Sequence, residues 1–347
     1  MTLAVRYLAA RTLDTAPAPS PAPGPGQVEI APAYVGICGT DLHIFHGDMD
    51  ARVAAPAVLG HEMSGRIVRV GAQVEGWSPG DAVTVMPLRW DGTCPACRAG
   101  HQHICAHLDF IGIDSPGAMQ QRWTVPASAL VRLPASLPLD LAALVEPTAV
   151  AVHDVGRARV QRGERAVVVG GGPVGVLIAL VARAAGADVR MVEPSPHRRR
   201  RAEELGLAAW DPDTDDVPEL VRRWTGDAGA DVAFEVSGAP SGVDTAVEVL
   251  GVRGRLCLVA IHPRPREVNL HRFFWRELTL VGARLYGRAD FERAVALVAD
   301  GTVPAQRLIS RIVPLAEAPL AFEALEDGGD VMKILVDCAD DTQAAAV

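Results

Sequence analysis

The sequence predicts an α/β chain in two parts: a barrel-like antiparallel β domain and a doubly wound parallel sheet. Short alternating apolar runs from Val58 to Val85 are broken by glycines and by a Pro-Gly-Asp turn, which is typical of antiparallel strands. From Arg165 to Ala185 a strand, a glycine-rich turn and an apolar helix follow one another, and more strands and helices alternate after them. The length of 347 residues fits two domains.

Composition restricts the classes of function. The formal net charge of -9 argues against a surface for nucleic acid or anionic membranes. No apolar run reaches the ~20 residues needed to span a bilayer, and the first residues lack a signal-peptide pattern. Six cysteines, three of them clustered, favour metal binding over a disulfide framework. We therefore expect a cytoplasmic protein with no nucleic-acid and no membrane partner.

The stretch from Gly36 to His43 places a thiol, a hydroxyl and an imidazole in what we predict to be one short turn. A cysteine thiolate is a strong zinc ligand, and Gly36 and Gly39 allow the backbone to fold tightly around an ion. A single cysteine is also common as an inert buried side chain. Cys38 taken alone leaves both interpretations open.

His61 and Glu62 are two adjacent ligand candidates, and a pair of surface residues is the alternative. Neighbouring side chains of a regular strand point to opposite faces, so both can bind one metal only if the backbone bends or one acts through water. Earlier in the chain, strands are predicted from Leu3 to Tyr7 and from Val28 to Ile30, with a proline-rich loop between them.

Cys94, Cys97 and Cys105 form a lobe that begins at Asp91. Thiolates with Cys-x-x-Cys spacing can bind one tetrahedral zinc at ~2.3 Å. A redox pair is the alternative, but such a pair normally opens a helix of a thioredoxin-like unit, and no such unit precedes it. Three nearby histidines are possible substitute ligands that we expect to be solvated instead: His101, His103 and His107.

A helix predicted from Leu139 to Val155 carries Glu146 inside an apolar stretch. An ionised carboxylate in apolar surroundings is strongly destabilised unless it is paired or binds a metal. Glu146 is therefore a further candidate metal ligand.

The turn from Gly170 to Gly175 follows a predicted strand, Arg165 to Val169, and opens a predicted helix, Val176 to Ala185. This is a G-x-G-x-x-G motif in the context that dinucleotide binding requires. Gly170 permits the tight turn, Gly172 lets a pyrophosphate approach the backbone, and Gly175 brings the helix close to the sheet.

The next strand, Asp188 to Val192, ends at Glu193, ~20 residues after the glycines, where a carboxylate accepts hydrogen bonds from the ribose hydroxyls of NAD. Its charge would repel the 2′-phosphate of NADP, although a guanidinium of the run from Arg198 to Arg201 could bind that phosphate. We predict NAD, bound by Gly170, Gly172, Pro173, Val174, Gly175, Glu193, Arg198, Ser237 and Gly238.

The alternation of strands and helices continues to the end of the chain. A strand that ends at Ser237 and Gly238 is expected to face the cofactor, and the last strand could rejoin the first domain. The predicted elements are a strand from Asp231 to Gly238, a helix from Val243 to Leu250, strands from Arg255 to Ile261 and from Leu278 to Leu285, a helix from Asp290 to Asp300 and a strand from Val331 to Val336.

Five motifs together resemble those of the zinc-dependent medium-chain alcohol dehydrogenases, on the side of that family that includes sorbitol, threonine and 2,3-butanediol dehydrogenases. They are Gly36 to His43, Gly60-His61-Glu62, the Cys94/Cys97/Cys105 lobe with Gly100, Val145-Glu146-Pro147, and Gly170 to Gly175. The resemblance covers nearly the whole chain. It implies a GroES-like β-barrel catalytic domain, residues 1–149 and 287–347, interrupted by a Rossmann NAD-binding domain, residues 150–286.

By the same resemblance, a catalytic zinc is held by Cys38, His61 and Glu146, and Glu62 binds it directly, through water or only in some states. The ion acts as a Lewis acid on a substrate hydroxyl, whose carbon yields hydride to the nicotinamide. The family pattern implies that Thr40 and His43 relay the released proton. A turn-stabilising hydroxyl and a surface histidine are the alternatives for these two residues.

The chain departs from its family at the lobe. The family's lobe has four cysteines, and Asp91 stands here in place of the first. A carboxylate oxygen binds zinc at ~2.0 to 2.2 Å, so we expect a structural zinc held by Asp91, Cys94, Cys97 and Cys105, and two zinc ions per subunit. An empty lobe, or one completed by a histidine, is the alternative. We also expect the oxygen ligand to make this site the more acid-labile of the two.

The glutamates of the zinc set and the segment from Arg284 to Gly287 resemble those of polyol dehydrogenases. Four residues are candidates for the substrate pocket: Phe45, Phe110, Arg284 and Tyr286. The expected function is oxidation of a secondary alcohol group of a polyol or related hydroxy compound to a ketone, with NAD as hydride acceptor, in a homodimer or homotetramer. A catalytically inactive or zinc-independent member that binds nucleotides is the alternative, and the complete zinc set disfavours it.

Overall fold

Antiparallel strands dominate the N-terminal part of the chain, and alternating strands and helices follow from Arg165 onwards. A computed structural model describes residues 2–326 and 330–339. Contacts divide the chain into a first unit, Met1–Glu146 with Gly287–Val347, and a second unit, Pro147–Tyr286. None of the helices in the part of the chain that the structure describes has the length and apolar character needed to span a bilayer.

The elements follow one another in three stretches. The first runs through β1 (Thr2–Ala9), β2 (Thr12–Ala18), β3 (Gln27–Gly36), α1 (Gly39–Phe45), β4 (Ala57–Val58), β5 (Glu62–Val70), β6 (Ala82–Val85), β7 (Leu88–Arg89), α2 (Pro95–Arg98), β8 (Asp109–Phe110), β9 (Trp123–Pro126), β10 (Leu130–Arg132), α3 (Leu139–Ala142) and α4 (Val145–Arg157). The second runs through β11 (Arg165–Val169), α5 (Pro173–Ala184), β12 (Asp188–Val192), α6 (Pro196–Glu204), β13 (Ala208–Trp210), α7 (Val217–Thr225), β14 (Ala230–Glu235), α8 (Pro240–Glu248), β15 (Leu250–Leu258), α9 (Leu270–Arg276) and β16 (Thr279–Gly282). The third comprises α10 (Arg288–Ala299), β17 (Ile309–Pro314), α11 (Ala318–Glu326) and β18 (Lys333–Asp337).

β3 is the central strand of the larger sheet in the first unit. The order is β10-β6-β5-β3-β18-β17, and β9 also pairs with β3. β5, β9 and β18 all run antiparallel to β3. Gly36, at the end of β3, lies opposite Glu62 on β5 and Leu335 on β18. β18, the last strand of the described residues, therefore joins the N-terminal segment, as the sequence predicts, next to the candidate ligands.

The second unit is a six-stranded parallel sheet in the order β13-β12-β11-β14-β15-β16. Counted from its own first strand this order is 3-2-1-4-5-6, the doubly wound arrangement, so the predicted Rossmann fold is confirmed. Its centre is apolar, since Val167, Ala233 and Leu256 are at most 1% exposed. The strand order reverses between β11 and β14, and dinucleotides bind outside the carboxyl ends of the strands at such a point.

Two predicted elements differ from the structure. Part of the proline-rich segment forms β2, which includes Pro17. β2 pairs only with β1 at the edge of a small sheet, where the missing N–H of a proline is tolerated. The single helix predicted from Leu139 to Val155 is two helices, α3 and α4. Pro147 lies in the first turn of α4, and a proline there excludes a helical hydrogen bond to the preceding turn.

Candidate active site and cysteine lobe

Cys38 lies between the end of β3 and the start of α1. It is the N-cap residue of α1, and its backbone N–H donates to Asp41 Oδ2 at 2.8 Å. The predicted turn is therefore a strand end followed by a short helix. Gly36 is needed for packing rather than for the turn, because a Cβ there would lie 2.3 Å from Glu62 Oε2.

His61 and Glu62 converge with Cys38 because the chain bends just before β5. Gly60 has a φ of +97°, which residues with a side chain rarely adopt, and His61 precedes the first residue of the strand. Ligand atoms of Cys38, His61 and Glu62 all lie within 4.8 Å of one another. The bend that shared metal binding requires is present.

Asp41 is a buried carboxylate next to His61. Its Oδ1 is 3.7 Å from His61 Nδ1, and neither atom has a hydrogen-bond partner among the described residues. Burial raises the pKa of Asp41. Burial alone lowers the pKa of His61, but the Asp41 carboxylate and Cys38 outweigh it and raise that pKa well above its ordinary value. With Nδ1 beside a carboxylate, Nε2 is left to bind a metal, as in most ligating histidines.

Lys333, the only lysine of the chain, reaches the site from β18. Its Nζ donates to both carboxylate oxygens of Glu62, at 2.9 and 2.7 Å, and to the Ile37 carbonyl at 3.1 Å. The side chains of Lys333 and Glu62 are 4% and 2% exposed. Burial lowers the pKa of Lys333, but Glu62 and Cys38 outweigh it and raise that pKa. The Glu62 carboxylate is thus compensated by a buried cation.

Sequence reasoning assigned no role to Asp41 or Lys333. The sequence feature that could have identified Asp41 is its place three residues after Cys38. From there its carboxylate can accept a hydrogen bond from the N-cap backbone N–H. For Lys333, the feature is a single lysine inside an apolar strand, where a cation needs a buried partner.

Glu146 lies in the first turn of α4 and is 3% exposed. Its charge acts on both His61 and Lys333, so it lies near the cluster. Among the described residues, the group with converging ligand atoms contains Cys38, His61 and Glu62 and not Glu146. The structure thus brings three of the four predicted ligands together at one point.

The two predicted relay residues share α1. Thr40 is half-buried, and His43 is exposed, with its Nδ1 3.1 Å from Asp48 Oδ2. They lie two and five residues beyond Cys38, so the helix leads from the cluster towards solvent at His43.

Phe110 meets the His61 ring edge-on, with 5.1 Å between ring centroids. Phe110 therefore lies against the candidate site, as expected of a pocket wall. Phe45 is 3% exposed and packs against Phe322, with 5.6 Å between ring centroids, which is the environment of a core side chain.

The donor set fits zinc. A thiol, an imidazole nitrogen and a carboxylate are the ligand types that zinc takes. Asp41 Oδ1, 3.7 Å from His61 Nδ1, is at ion-pair rather than hydrogen-bond distance, close to the place where a carboxylate supports a ligating histidine. Cys38 and His61, with Glu62 or Glu146, are the residues that would hold the ion.

The lobe also converges on one point, since ligand atoms of Asp91, Cys94, Cys97 and Cys105 lie within 4.8 Å of one another. The Sγ atoms of Cys94 and Cys105 are 3.8 Å apart. Two sulfurs bound to one tetrahedral zinc at ~2.3 Å are separated by about 3.8 Å. Backbone N–H groups of Ala106 and Cys97 lower the pKa of Cys94 to about 7. The lobe fits a zinc held by thiolates, and all six cysteines of the chain are free thiols.

Asp91 occupies the fourth position of the lobe. Its Oδ1 accepts from the backbone of Thr93 and Cys94 at 2.7 and 2.9 Å, and its Oδ2 is 2.6 Å from His107 Nδ1. The His107 hydrogen bond, together with these N–H groups, holds the pKa of Asp91 well below its usual range. A lowered pKa favours the ionised form of Asp91, which works against the expected acid lability of the oxygen ligand. His107 is exposed, but it is paired rather than only solvated.

The glycine-rich turn of the second unit has the geometry that its sequence predicts. Gly170 has a φ of +110°, and a Cβ there would lie 2.9 Å from the Ser237 nitrogen. A Cβ at Gly175 would lie 2.0 Å from the Gly170 oxygen, so α5 approaches the turn too closely for any side chain. Gly172 is the N-cap of α5, with Pro173 and Val174 in its first turn.

Glu193, at the end of β12, is 4% exposed and faces this turn. Its Oε2 accepts from the Gly171 N–H at 2.6 Å and its Oε1 from the Ser195 N–H at 2.8 Å. Arg198 lies 4.0 Å from the same carboxylate, whereas Arg199 is paired with Asp211 at 2.7 Å. Arg198 is therefore at ion-pair distance from the Glu193 carboxylate, whereas Arg199 donates to the Glu193 backbone carbonyl at 2.8 Å.

Ser237 and Gly238 lie beyond the end of β14 rather than inside a strand. Glu235, the last residue of β14, accepts from Ser237 N, Ser237 Oγ and Gly238 N through Oε1, at 2.9, 2.5 and 3.0 Å. The strand is shorter than predicted, because the hydrogen bonds that Glu235 accepts from the next residues hold the chain in a turn. After β16, Arg284 is exposed and Tyr286 is fully buried.

Comparison with known proteins gives matches over both units. The family model of the alcohol dehydrogenase GroES-like domain matches residues 24–135, and that of the zinc-binding dehydrogenases matches residues 173–300. A 2-dehydro-3-deoxy-L-galactonate 5-dehydrogenase of Pseudoalteromonas atlantica is 46% identical over 96% of this chain and 98% of its own. An L-galactonate-5-dehydrogenase of Escherichia coli is 32% identical over 83% of this chain and 85% of its own.

A solved structure, described as a zinc-binding dehydrogenase from Sinorhizobium meliloti 1021 bound to NADP, has a TM-score of 0.91 and 32% identity. The match covers 97% of this chain and 99% of that one. The matches agree with the converging Cys38, His61 and Glu62 and with the doubly wound sheet. The chain belongs to the zinc-dependent medium-chain alcohol dehydrogenase family and is an oxidoreductase that acts on secondary alcohol groups with a nicotinamide cofactor.

Proposed function

We propose that this enzyme oxidises the C5 hydroxyl of a sugar acid to a ketone, with NAD as hydride acceptor. The substrate class is an aldonate or a 2-keto-3-deoxy aldonate. The convergence of Cys38, His61 and Glu62 within 4.8 Å carries the reaction type. The 46% identity to a 2-dehydro-3-deoxy-L-galactonate 5-dehydrogenase, and the match to an L-galactonate-5-dehydrogenase, support the sugar acid.

A zinc ion bound by these residues would supply Lewis-acid chemistry that lowers the pKa of the substrate hydroxyl. Asp41, 3.7 Å from His61 Nδ1, would support the imidazole electrostatically, and Lys333 compensates the charge of Glu62. Phe110 packs perpendicular to the His61 ring and is an apolar wall of the site. The Thr40 hydroxyl would accept the released proton while it donates its own towards His43, and the exposed His43 imidazole would pass a proton to solvent.

For the substrate carboxylate we propose Arg284, whose exposed guanidinium can pair with two oxygens. Arg284→Met should raise KM for a sugar acid about tenfold and leave KM for a neutral polyol within twofold. An equal rise for both substrates would place Arg284 outside carboxylate binding.

NAD rather than NADP is proposed because Glu193 stands at the end of β12, where its charge would repel a 2′-phosphate. Arg198 is the competing feature at 4.0 Å, and the Sinorhizobium meliloti structure is bound to NADP. We expect kcat/KM to be at least tenfold higher with NAD than with NADP. Glu193→Ala should reduce this preference for NAD. An equal or better kcat/KM with NADP would contradict this proposal.

Two zinc ions per subunit are proposed, one at the Cys38 cluster and one at the lobe. The 3.8 Å separation of Cys94 Sγ and Cys105 Sγ supports the second ion. Thiols that bind zinc must stay reduced, which fits the cytoplasmic location expected from the sequence.

We also propose a homo-oligomer, because one edge of the parallel sheet and the helix beside it are exposed. β16 is an edge strand, and α9 just before it exposes large apolar side chains: Leu270 is 73%, Phe274 75% and Trp275 68% exposed. A second copy related by a twofold axis would cover both the strand edge and this patch. Light scattering should give a dimer or tetramer, and Trp275→Glu should shift it to smaller species. A monomeric wild-type protein would contradict the proposal.

The proposed function is tested by assaying zinc-loaded enzyme with NAD on C5-epimeric aldonates, 2-keto-3-deoxy aldonates, sorbitol and 2,3-butanediol. We expect a sugar acid to give at least tenfold higher kcat/KM than either polyol, and the product to carry its new carbonyl at C5. A polyol as best substrate would overturn the sugar-acid proposal. Absence of turnover with every compound would favour the inactive nucleotide-binding alternative.

A further inference from the structure

Glu235 is a fully buried carboxylate that holds the loop after β14. Through Oε1 it accepts three hydrogen bonds from Ser237 and Gly238. Gly242 of α8 makes room for this arrangement, since a Cβ there would lie 2.1 Å from Ser237 Oγ and 2.8 Å from Glu235 Oε1. One oxygen of Glu235 is therefore committed to the loop, and the other is available to a second partner.

That second partner is His262, on the loop after β15. Its Nε2 is 2.9 Å from Glu235 Oε2, and its Nδ1 accepts from Arg266 Nε at 3.2 Å. A guanidinium can only donate, so Nδ1 must present its lone pair to Arg266. The ring proton is then on Nε2, and His262 donates to Glu235. These contacts fix the tautomer of His262 and connect the two loops. They run from Arg266 through His262 and Glu235 to Ser237.

Both loops lie at the carboxyl edge of the sheet. Gly170, the first glycine of the phosphate turn, approaches the Ser237 backbone, and Ala260 N donates to the Glu235 carbonyl at 3.1 Å. In a doubly wound sheet, the half that begins with the glycine turn takes the adenosine, which places Glu193 at its ribose. The loops after β14 and β15 then border the nicotinamide half of the dinucleotide.

The exposure of Ile261 is a second, independent indication that the loop after β15 borders the nicotinamide half of the dinucleotide. Ile261 precedes His262, and it is 78% exposed although it is apolar. The neighbouring His262 side chain is only 10% exposed. An anchored histidine thus follows an exposed apolar residue, Ile261, at the edge where the nicotinamide ring would bind.

We propose that His262 is a positioning residue for the nicotinamide half of the cofactor. It acts through Glu235 on the Ser237–Gly238 loop and holds Ile261 in place to contact the nicotinamide riboside. The inference rests on the proposed nicotinamide-dependent function and adds His262, Glu235 and Arg266 to the residues that shape the cofactor site.

The test compares binding of NADH with binding of ADP-ribose, which lacks the nicotinamide ring, by calorimetry on full-length protein. His262→Leu removes both hydrogen bonds and leaves a buried carboxylate with one partner fewer, so we expect Kd for NADH to rise about tenfold. Kd for ADP-ribose should stay within twofold. His262→Gln should restore most of the NADH affinity, because an amide can donate to Glu235 and accept from Arg266.

The matched control is His271→Leu, at an exposed histidine of α9 that contacts Trp275. It should change neither Kd. An equal loss of affinity for both ligands in His262→Leu, or no loss for either, would overturn the inference. A wild-type protein that binds ADP-ribose but not NADH would contradict the proposed function as well, which separates the two failures.

Discussion

The Cys38 cluster (Cys38, His61 and Glu62) and the lobe are both candidate metal-ligand groups of the first unit, and they are assembled differently. The lobe takes its four candidate ligands from one continuous segment, Asp91 to Cys105, and backbone N–H groups stabilise its sulfurs. The Cys38 cluster takes its members from the end of β3, the start of β5 and, through Lys333, from β18. Lys333 is separated from Glu62 by 271 positions in sequence. A local site is encoded by spacing, whereas a site built across a sheet depends on strand pairing.

The difference also concerns charge. The three cysteines of the lobe are buried, but His107, which pairs with Asp91, is 76% exposed, so the charged pair of the lobe meets solvent. At the Cys38 cluster the thiol is half-buried, whereas the carboxylates of Asp41 and Glu62 face a histidine and a lysine inside the protein. We therefore expect substitutions at the Cys38 cluster to affect both catalysis and folding, and substitutions at the lobe to affect metal content and stability only.

The largest effect is expected from Cys38→Ser. Loss of this ligand should lower kcat by about 10³-fold, because Lewis-acid stabilisation is worth several kcal/mol. NADH affinity should stay within twofold, since the phosphate turn and Glu193 belong to the second unit. Cys257→Ser, at a buried thiol outside both clusters, is the matched control for steady-state kinetics and NADH titration. Wild-type turnover in Cys38→Ser would remove the cluster from the mechanism.

Lys333→Met should be strongly destabilising, by about 3–5 kcal/mol, because Glu62 would remain buried without its cation. Urea unfolding monitored by far-UV circular dichroism measures the loss. Lys333→Arg keeps the charge and should lose less. The double variant Glu62→Gln, Lys333→Met should recover part of the stability, and a double variant as unstable as the sum of the single ones would show that the two side chains are not coupled.

Asp41→Asn should weaken zinc binding about 10- to 100-fold, as expected when the carboxylate behind a ligating histidine is neutralised. Chelator competition measures this affinity. Asp140→Asn, on α3 outside the cluster, is the control. Unchanged zinc affinity in Asp41→Asn would mean that the contact with His61 Nδ1 does not support the metal site.

The smallest effect on chemistry is expected at the lobe. Asp91→Ala should reduce zinc content by one ion per subunit and lower the melting temperature, with kcat within twofold of wild type. Asp91→Cys should keep the zinc, because it restores the four-thiolate set of the family. A lobe that contains no zinc in the wild-type protein, or an Asp91→Ala variant with full zinc content, would contradict the proposed ligand.

The sequence predicted the fold of each unit and most candidate ligands, because the strands, the glycine turn and the ligand spacing all appear as local sequence patterns. Strand alternation, the glycine turn and the Cys-x-x-Cys spacing are contained in short windows, and β11 and β12 have the predicted limits. The contact of Asp41 with His61 and the pair of Lys333 with Glu62 were missed because both form only after β3 pairs with β5 and β18. The His262 contact was missed for a similar reason, since it depends on two loops that meet at the sheet edge.

The central claim is that zinc at the Cys38 cluster, and not at the lobe, supports oxidation of the substrate. Zinc content by mass spectrometry and turnover should be measured together for the wild type, Cys38→Ser and Asp91→Ala. We predict two zinc ions with activity for the wild type, one ion without activity for Cys38→Ser, and one ion with activity for Asp91→Ala. Full turnover of metal-stripped wild-type enzyme, or of Cys38→Ser, would contradict the claim.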